Sequence, residues 1–347
     1  MKDGGDLANV RINGVAANPL LSYTNTQKVA ASDFAWVNSN TAIPTSVLQG
    51  AITEKVVLDA AVKYSLNSSY IVQAGGELVI PAGTKIEARD GGTGVYIAVL
   101  KGGKIDIQGT ESNPVVISSA SATSGDWGGL TICGAATTTA GVNAEAEVGG
   151  FIYGGTNVTD NSGSITYLVI KGTGAQINAD SQYNGISLYA VGSGTTIENI
   201  SIINGADDGI EFFGGTVSVT NVYLENNEDD AVDWTEGWNG TVTNTYISHS
   251  IAGFSTAFEG DKDNGNPKFI NLTAISTVGG TGLQFKKNSG ATISNIWLEG
   301  YDKNIDMKDG GSLQNVIIDN TAASTTADYK TGTKVAVAAW TWKSAGL

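Results

Sequence analysis

The chain has one cysteine, Cys133, and one histidine, His249, in 347 residues. A single cysteine forms no intrachain disulfide, and the two residues together cannot build a Cys/His metal cluster. A Ser-His-Asp triad would have to use His249, and no GxSxG elbow accompanies it. Proline is scarce, at 5 residues, and no Gly-X-Y period runs through the chain, which excludes a collagen-like rod. No apolar run is long enough to span a membrane as a helix. Long Leu/Glu/Lys helical stretches are missing too. Basic residues number 19 against 34 acidic ones, for a formal charge of −15 and a pI of about 4.4. A nucleic-acid partner or an anionic membrane surface would want the opposite sign. The acidic balance suits cations, neutral polymers, polyanions bridged by calcium, or solubility alone. No signal peptide opens the chain, and Met1-Lys2-Asp3 reads as an artificial start, so a removed leader is expected.

What is abundant is glycine, 46 residues, well above the usual share of about 7%. Thr, Ser, Asn and Val are also plentiful, a composition of short strands and tight turns. One motif returns every 20 to 27 residues. Asp208-Gly209-Ile210-Glu211-Phe212 comes back as Asp230-Ala231-Val232-Asp233-Trp234, then as Thr256-Ala257-Phe258-Glu259-Gly260. Thr281-Gly282-Leu283-Gln284-Phe285 and Lys303-Asn304-Ile305-Asp306-Met307 follow. A period of that size marks a repeat architecture. Earlier in the chain, Gly75 to Ile80 is echoed by Gly102 to Ile107.

A second register runs beside the first. Asn199, Asn221, Asn244, Asn271, Asn295 and Asn315 each precede a short run whose first and third residues are mostly apolar, as in Ile200/Ile202 and Val222/Leu224. Period 2 turns those residues inward and turns Ser201, Tyr223, Tyr246, Thr273, Trp297 and Ile317 outward. A four-residue strand cannot bury its apolar face alone, but stacked coils about 4.8 Å apart can. Asn suits the corners, because it tolerates left-handed backbone and can bond the Asn above and below. No helical pattern separates the strands, so alternating βα units are excluded. The prediction is an all-β, right-handed parallel β-helix, a solenoid with caps at both ends; a β-sandwich or jelly roll would not need the Asn register. Residues 1–46 read as an N-terminal tail or cap, 47–320 as the β-helix and 321–347 as a C-terminal cap, with Ala339-Trp340-Thr341-Trp342 closing the last coil.

The same alternation turns Ile210, Val232, Phe258, Leu283 and Ile305 inward and places Glu211, Asp233, Glu259, Gln284 and Asp306 in one outward column. Stacked carboxylates about 5 Å apart repel, which raises pKa values or invites a cation. Three chemistries fit. Ca²⁺ takes carboxylates and carbonyls, which makes Asp229, Asp230, Asp261 and Asp263 candidate metal ligands. The Asp261-Lys262-Asp263 spacing resembles the start of an EF-type loop, although position twelve is Leu272 and not Glu. Glycan chemistry needs an acid, a base or a charge neutraliser. Asp208, Asp230 and Asp233 are the acid/base candidates and Lys286 the neutraliser, if the protein is an enzyme. Glycan binding would use aromatic platforms near carboxylates: Glu211, Glu259, Trp238, Tyr223 and Tyr246 are the candidates. Against each stands a plain alternative: a solvated acidic face, or aromatics packed under a neighbouring loop. Trp234 is assigned to the core by parity and His249 to a polar corner.

Several segments resemble a known family. Gly125-Asp126-Trp127-Gly128-Gly129, Tyr153-Gly154-Gly155-Thr156, Asp207 to Val217 and Glu228 to Trp238 are similar to secreted or surface-anchored β-helix proteins of Bacteroidetes and related bacteria. The likeness covers roughly residues 50–347. It implies a right-handed β-helix outside the cell or at the outer-membrane surface, often a lipoprotein, and it implies little about activity. The order Asp207-Asp208, Asp229-Asp230, Phe285-Lys286-Lys287 also resembles the polygalacturonases. The chain departs from them where they carry a Gly-His-Gly coil; here the residues are Ala252-Gly253-Phe254. The functional expectation is an extracellular protein binding a glycan or other surface ligand, with Ca²⁺ at the acidic coils. A polysaccharide lyase or glycoside hydrolase on the same face, and a structural adhesin or spacer, are the alternatives.

Overall fold

A computed structural model describes residues 10–12, 15–18, 20, 45–178 and 181–347. The chain divides into two units, 1–42 and 43–347. In the first, Arg11–Ile12 and Val15–Ala16 pair as a short antiparallel hairpin; most of the expected N-terminal tail or cap lies outside the described residues. The second is a right-handed parallel β-helix of three sheets.

Each coil contributes one strand to each sheet. Sheet A climbs through Lys55–Val57, Glu77–Pro81 and Lys104–Gln108, then through the first halves of long bent strands, and ends at Val316–Ile318. Those bent strands include Thr196–Ile203, Ser218–Glu225, Thr241–His249, Lys268–Ser276 and Ala291–Glu299. Their second halves continue sheet B above Lys85–Ala88 and Val115–Ser119. Sheet C takes Ile97–Val99, Leu130–Cys133, Ile186–Tyr189, Ile210–Phe213, Asp230–Thr235, Thr256–Gly260, Thr281–Lys286 and Lys303–Lys308. The inward residues of all three sheets form one continuous core.

The bend between sheets A and B is made by asparagine. Asn199, Asn221, Asn244, Asn271 and Asn295 all have φ between 57° and 59°. A left-handed residue turns the strand without breaking the ladders on either side, and Asn reaches that conformation at little cost. Each Nδ2 donates to the Oδ1 of the asparagine one coil earlier, at 2.8 Å in all four steps from Asn221 to Asn295. Asn315 does not extend this ladder. It ends a short 3₁₀ turn, Leu313–Asn315, and bonds Asn288 instead.

The top edges of the sheets are closed by residues 319–332. Thr321–Ala322 pairs antiparallel with Val316–Ile318 on sheet A. The Leu298 N–H donates to the Tyr329 carbonyl on sheet B, and Asn304 Nδ2 donates to the Ala327 carbonyl on sheet C. This spends donors that an open edge would offer to another chain. The Trp-Thr-Trp segment, by contrast, does not close the last coil. Residues 333–347 form a strap that runs back down the outer face of sheet B. Val335 N bonds Thr273 Oγ1 and Ser201 Oγ bonds the Lys343 carbonyl. Trp342 is buried against Val116 and Val169, edge-on to Tyr167, and Lys85 holds the Gly346 carbonyl near the first coils.

Candidate functional site

Sheet C holds the expected column in register. Ser187, Glu211, Asp233, Glu259, Gln284 and Asp306 occupy successive coils at one position. Asp230, Thr256, Thr281 and Lys303 align at the entry to the strand, and the Asp230 N–H donates to Asp208 Oδ1 at 2.9 Å, which ties the two aspartates of neighbouring coils.

The column is not a solvated face. Asp208, Glu211, Asp230 and Glu259 are 6%, 9%, 3% and 4% exposed, so their charge is held mostly away from water. Part of the cover is a loop between Cys133 and Gly163, which leaves the solenoid and folds back along sheet C. Thr138 and Tyr153 hydroxyls each donate to Glu236 Oε2 at 2.8 Å, and Gly215 N–H donates to the Thr137 carbonyl. Beneath the loop, Cys133, Tyr189 and Phe213 stack in register with Ala146, Val148 and Tyr153 as a second small core. The loop also delivers Glu147. With Ser181, Gln182, Asp207, Asp208, Glu211 and Asp229 it lines an open acidic pocket of about 310 Å³.

Three overlapping triplets place their carboxylate oxygens within 4.8 Å of one another: Asp207/Asp208/Asp229, Asp208/Glu211/Asp233 and Asp230/Asp233/Glu259. Burial is the main reason the Asp208, Glu211, Asp230 and Asp233 carboxyls rise well above the ordinary range. Neighbouring carboxylates add to it: Glu211 and Asp233 on Asp208, Asp233 on Glu211, and Glu259 on both Asp230 and Asp233. Asp207 is pushed up to about 7 by burial, then by Asp229 and Glu147. Little offsets this load. Lys286 pairs with Glu259, whose other oxygen takes Gln284 Nε2, and Asn184 Nδ2 donates to Glu211 at 2.6 Å. Burial pulls the Lys286 ammonium down, but Glu259, Asp230 and Asp233 outweigh it and leave the value above the usual lysine range. Lys286 is therefore a fixed positive charge and not a base. Asp233 Oδ1 and Asn184 Oδ1 are buried without a hydrogen-bond partner. Oxygen-rich, negative and under-partnered, the row has the donor set of a hard divalent cation.

The remaining expected site residues fall elsewhere. Asp261 is bound by Lys287 at 3.1 Å and by the Lys262 N–H, and neither it nor Asp263 joins a triplet. Trp238 is not an exposed platform: it is fully buried, stacked on Phe212 at 3.9 Å, with its indole N–H on the Val217 carbonyl. Left-handed Glu236 (φ 54°) and Gly237 (φ 74°) turn it back into the core. Tyr223 and Tyr246 stack at 5.8 Å on sheet B, a different sheet from the carboxylates, and Lys343 of the strap lies 5.5 Å over Tyr223. Trp234 is in the core, 1% exposed. His249 is sandwiched against Phe254 at 3.7 Å, with Nδ1 3.1 Å from the Tyr301 hydroxyl; burial lowers it to about 4. Burial weakens it as a base, and Phe254 and Tyr301 enclose it on a different sheet from the carboxylates. Glu147 and Asn184 were missed in the sequence because neither lies in the repeating motif.

The profile of the pectate-lyase-like β-helix domain matches residues 50–342, and the chain belongs to that family. No curated protein matches the chain in sequence. Similar solved structures include catalytic domains of glycoside hydrolase family 87 α-1,3-glucanase. One, a variant bound to nigerose, is 9% identical over 77% of this chain, at a TM-score of 0.26. Another nigerose complex is 10% identical over 79%, at 0.27. The chain spans 65% and 68% of those domains. Likeness at this level says nothing about substrate.

Proposed function

We propose that this protein is an extracellular, cell-surface β-helix that binds a glycan or another surface ligand, with Ca²⁺ held by the acidic row of sheet C. The observation that carries the reading is the burial of Asp208, Glu211, Asp230 and Glu259 around half-buried Asp233, against one paired lysine, with Asp233 Oδ1 left without a partner. A cation at Asp208/Glu211/Asp233 or Asp230/Asp233/Glu259 would neutralise the charge, and Ca²⁺ would keep coordination positions for ligand oxygens in the open pocket beside Glu147. Membership of a pectate-lyase-like family makes a polysaccharide the first ligand class to test. Titration calorimetry with Ca²⁺, followed by a glycan array with and without the ion, is the test. Binding of Ca²⁺ that disappears in Asp233→Asn supports the reading. Absence of both Ca²⁺ heat and glycan hits refutes it.

A second reading, a polysaccharide lyase or glycoside hydrolase, draws on Lys286 as a fixed charge beside Glu259 and Asp233. The clustering favours the first reading, because three carboxylate oxygens within 4.8 Å of one another suit a single shared cation. Product release from a broad polysaccharide panel, abolished by Asp233→Asn, would reverse the preference. Location at the cell surface is part of the same proposal, and fractionation of the producing cells tests it.

A further inference from the structure

The strap leaves a groove over the asparagine ladder. Asn221, Asn244, Asn271 and Asn295 line one side, and Thr333 to Ala336 with Trp340 line the other, around a space of about 350 Å³. That volume is in the range of small-molecule sites. The groove lies at the bend between sheets A and B, and none of its lining residues belongs to the acidic row.

A carboxamide has two N–H donors and two acceptor lone pairs. Stacking uses one of each on Asn221, Asn244 and Asn271. Asn295, at the end, spends its remainder on the strap: Thr333 N–H donates to its Oδ1 at 2.7 Å, and its Nδ2 reaches the Thr333 carbonyl at 3.4 Å. Among the described residues, the other three carboxamides each keep one donor and one acceptor without a protein partner. They repeat once per coil, at about 4.8 Å. Trp340 is half-buried and stacked on Trp342, with centroids 5.9 Å apart and planes 21° from parallel, so its ring is already ordered. The one charged lining residue, Lys334, is committed to Glu299 at 2.5 Å and lies 4.9 Å over the Trp297 ring.

We propose that this groove binds a neutral saccharide chain laid along the solenoid axis, with hydroxyls on the carboxamides of Asn221, Asn244 and Asn271 and a sugar face on Trp340. Vicinal hydroxyls each donate and accept, which matches a carboxamide that offers one of each. An aromatic ring takes the apolar face of a pyranose. A charged glycan would find no uncommitted cation here. The site is independent of the acidic row, and ordered donors that need no rearrangement reduce the cost of binding.

The test is fluorescence and calorimetric titration of the full chain in EDTA, with neutral gluco-, manno-, xylo- and galacto-oligosaccharides. EDTA removes any cation-dependent binding, so failure of the acidic site and failure of this one are distinguishable. Saturable binding of at least one oligosaccharide is expected. Trp340→Ala should weaken it about tenfold or more, and Trp340→Phe should restore most of it. Ala336→Trp, which fills the groove from the exposed strap, should block it and keeps the test open if Trp340→Ala fails to fold. No binding across the panel, binding untouched by Trp340→Ala and Ala336→Trp, or binding only of an uncharged extended peptide would overturn the proposal.

Discussion

Gly260 lies in register between Trp234 and Phe285, and a Cβ there would sit 2.6 Å from the Trp234 ring. Gly260→Ala should therefore cost about 1–3 kcal/mol in denaturant unfolding; an unchanged midpoint would mean that Trp234 moves freely. His249 carries a different expectation. Its value falls from 6.5 to about 4 on burial, so the unfolded chain takes up a proton that the folded one refuses. The stabilising difference is whole above pH 6.5 and is lost as pH falls towards 4, by about 3 kcal/mol in all. Stability curves from pH 7 to 4 on wild type and His249→Asn should show that limb flattened in the variant. Single residues were legible where parity decides them, as for Trp234. Trp238 was not, because a left-handed pair at Glu236 and Gly237 overrides the alternation.

At the scale of elements, the asparagine bend explains why the coils stack in one register. Asn244 gives and receives one ladder bond and holds a φ of 59°. Asn244→Ala should lose about 2–4 kcal/mol, from two hydrogen bonds at about 1 kcal/mol each and a left-handed backbone that alanine resists. Asn244→Gly should lose less, since only the bonds go. Urea melts of the two variants separate these contributions, and equal losses would remove backbone conformation from the account. This ladder was readable in the sequence because each coil repeats it, whereas Asn315 matched the spacing and still fell into a 3₁₀ turn. The loop that delivers Glu147 and the strap that covers Tyr223 were not readable as such. Both are single, non-repeating segments whose partners lie far away in the chain: Tyr153 bonds Glu236, and Lys85 bonds Gly346.

Across the whole molecule, the β-helix concentrates charge that a less repetitive fold would disperse. Parallel stacking at fixed register brings carboxylates from three successive coils into one largely buried row, and the −15 balance of the chain supplies little to neutralise it. The fold makes the row; the sequence alone could not tell that it would be covered. Raised carboxyl values mean that, without a cation, this row contributes stability that is present at low pH and lost as pH rises through the folded values. A bound divalent ion reverses that trend, because it requires the ionised carboxylates and competes with protons. The most direct measurement is the shift in thermal midpoint caused by Ca²⁺ over EDTA, followed from pH 8 to pH 5 in wild type and Asp233→Asn. A cation held by the row should give a wild-type shift that is largest at the alkaline end, shrinks as the row protonates, and nearly vanishes in the variant. No shift at any pH, or the same shift in Asp233→Asn, would contradict it.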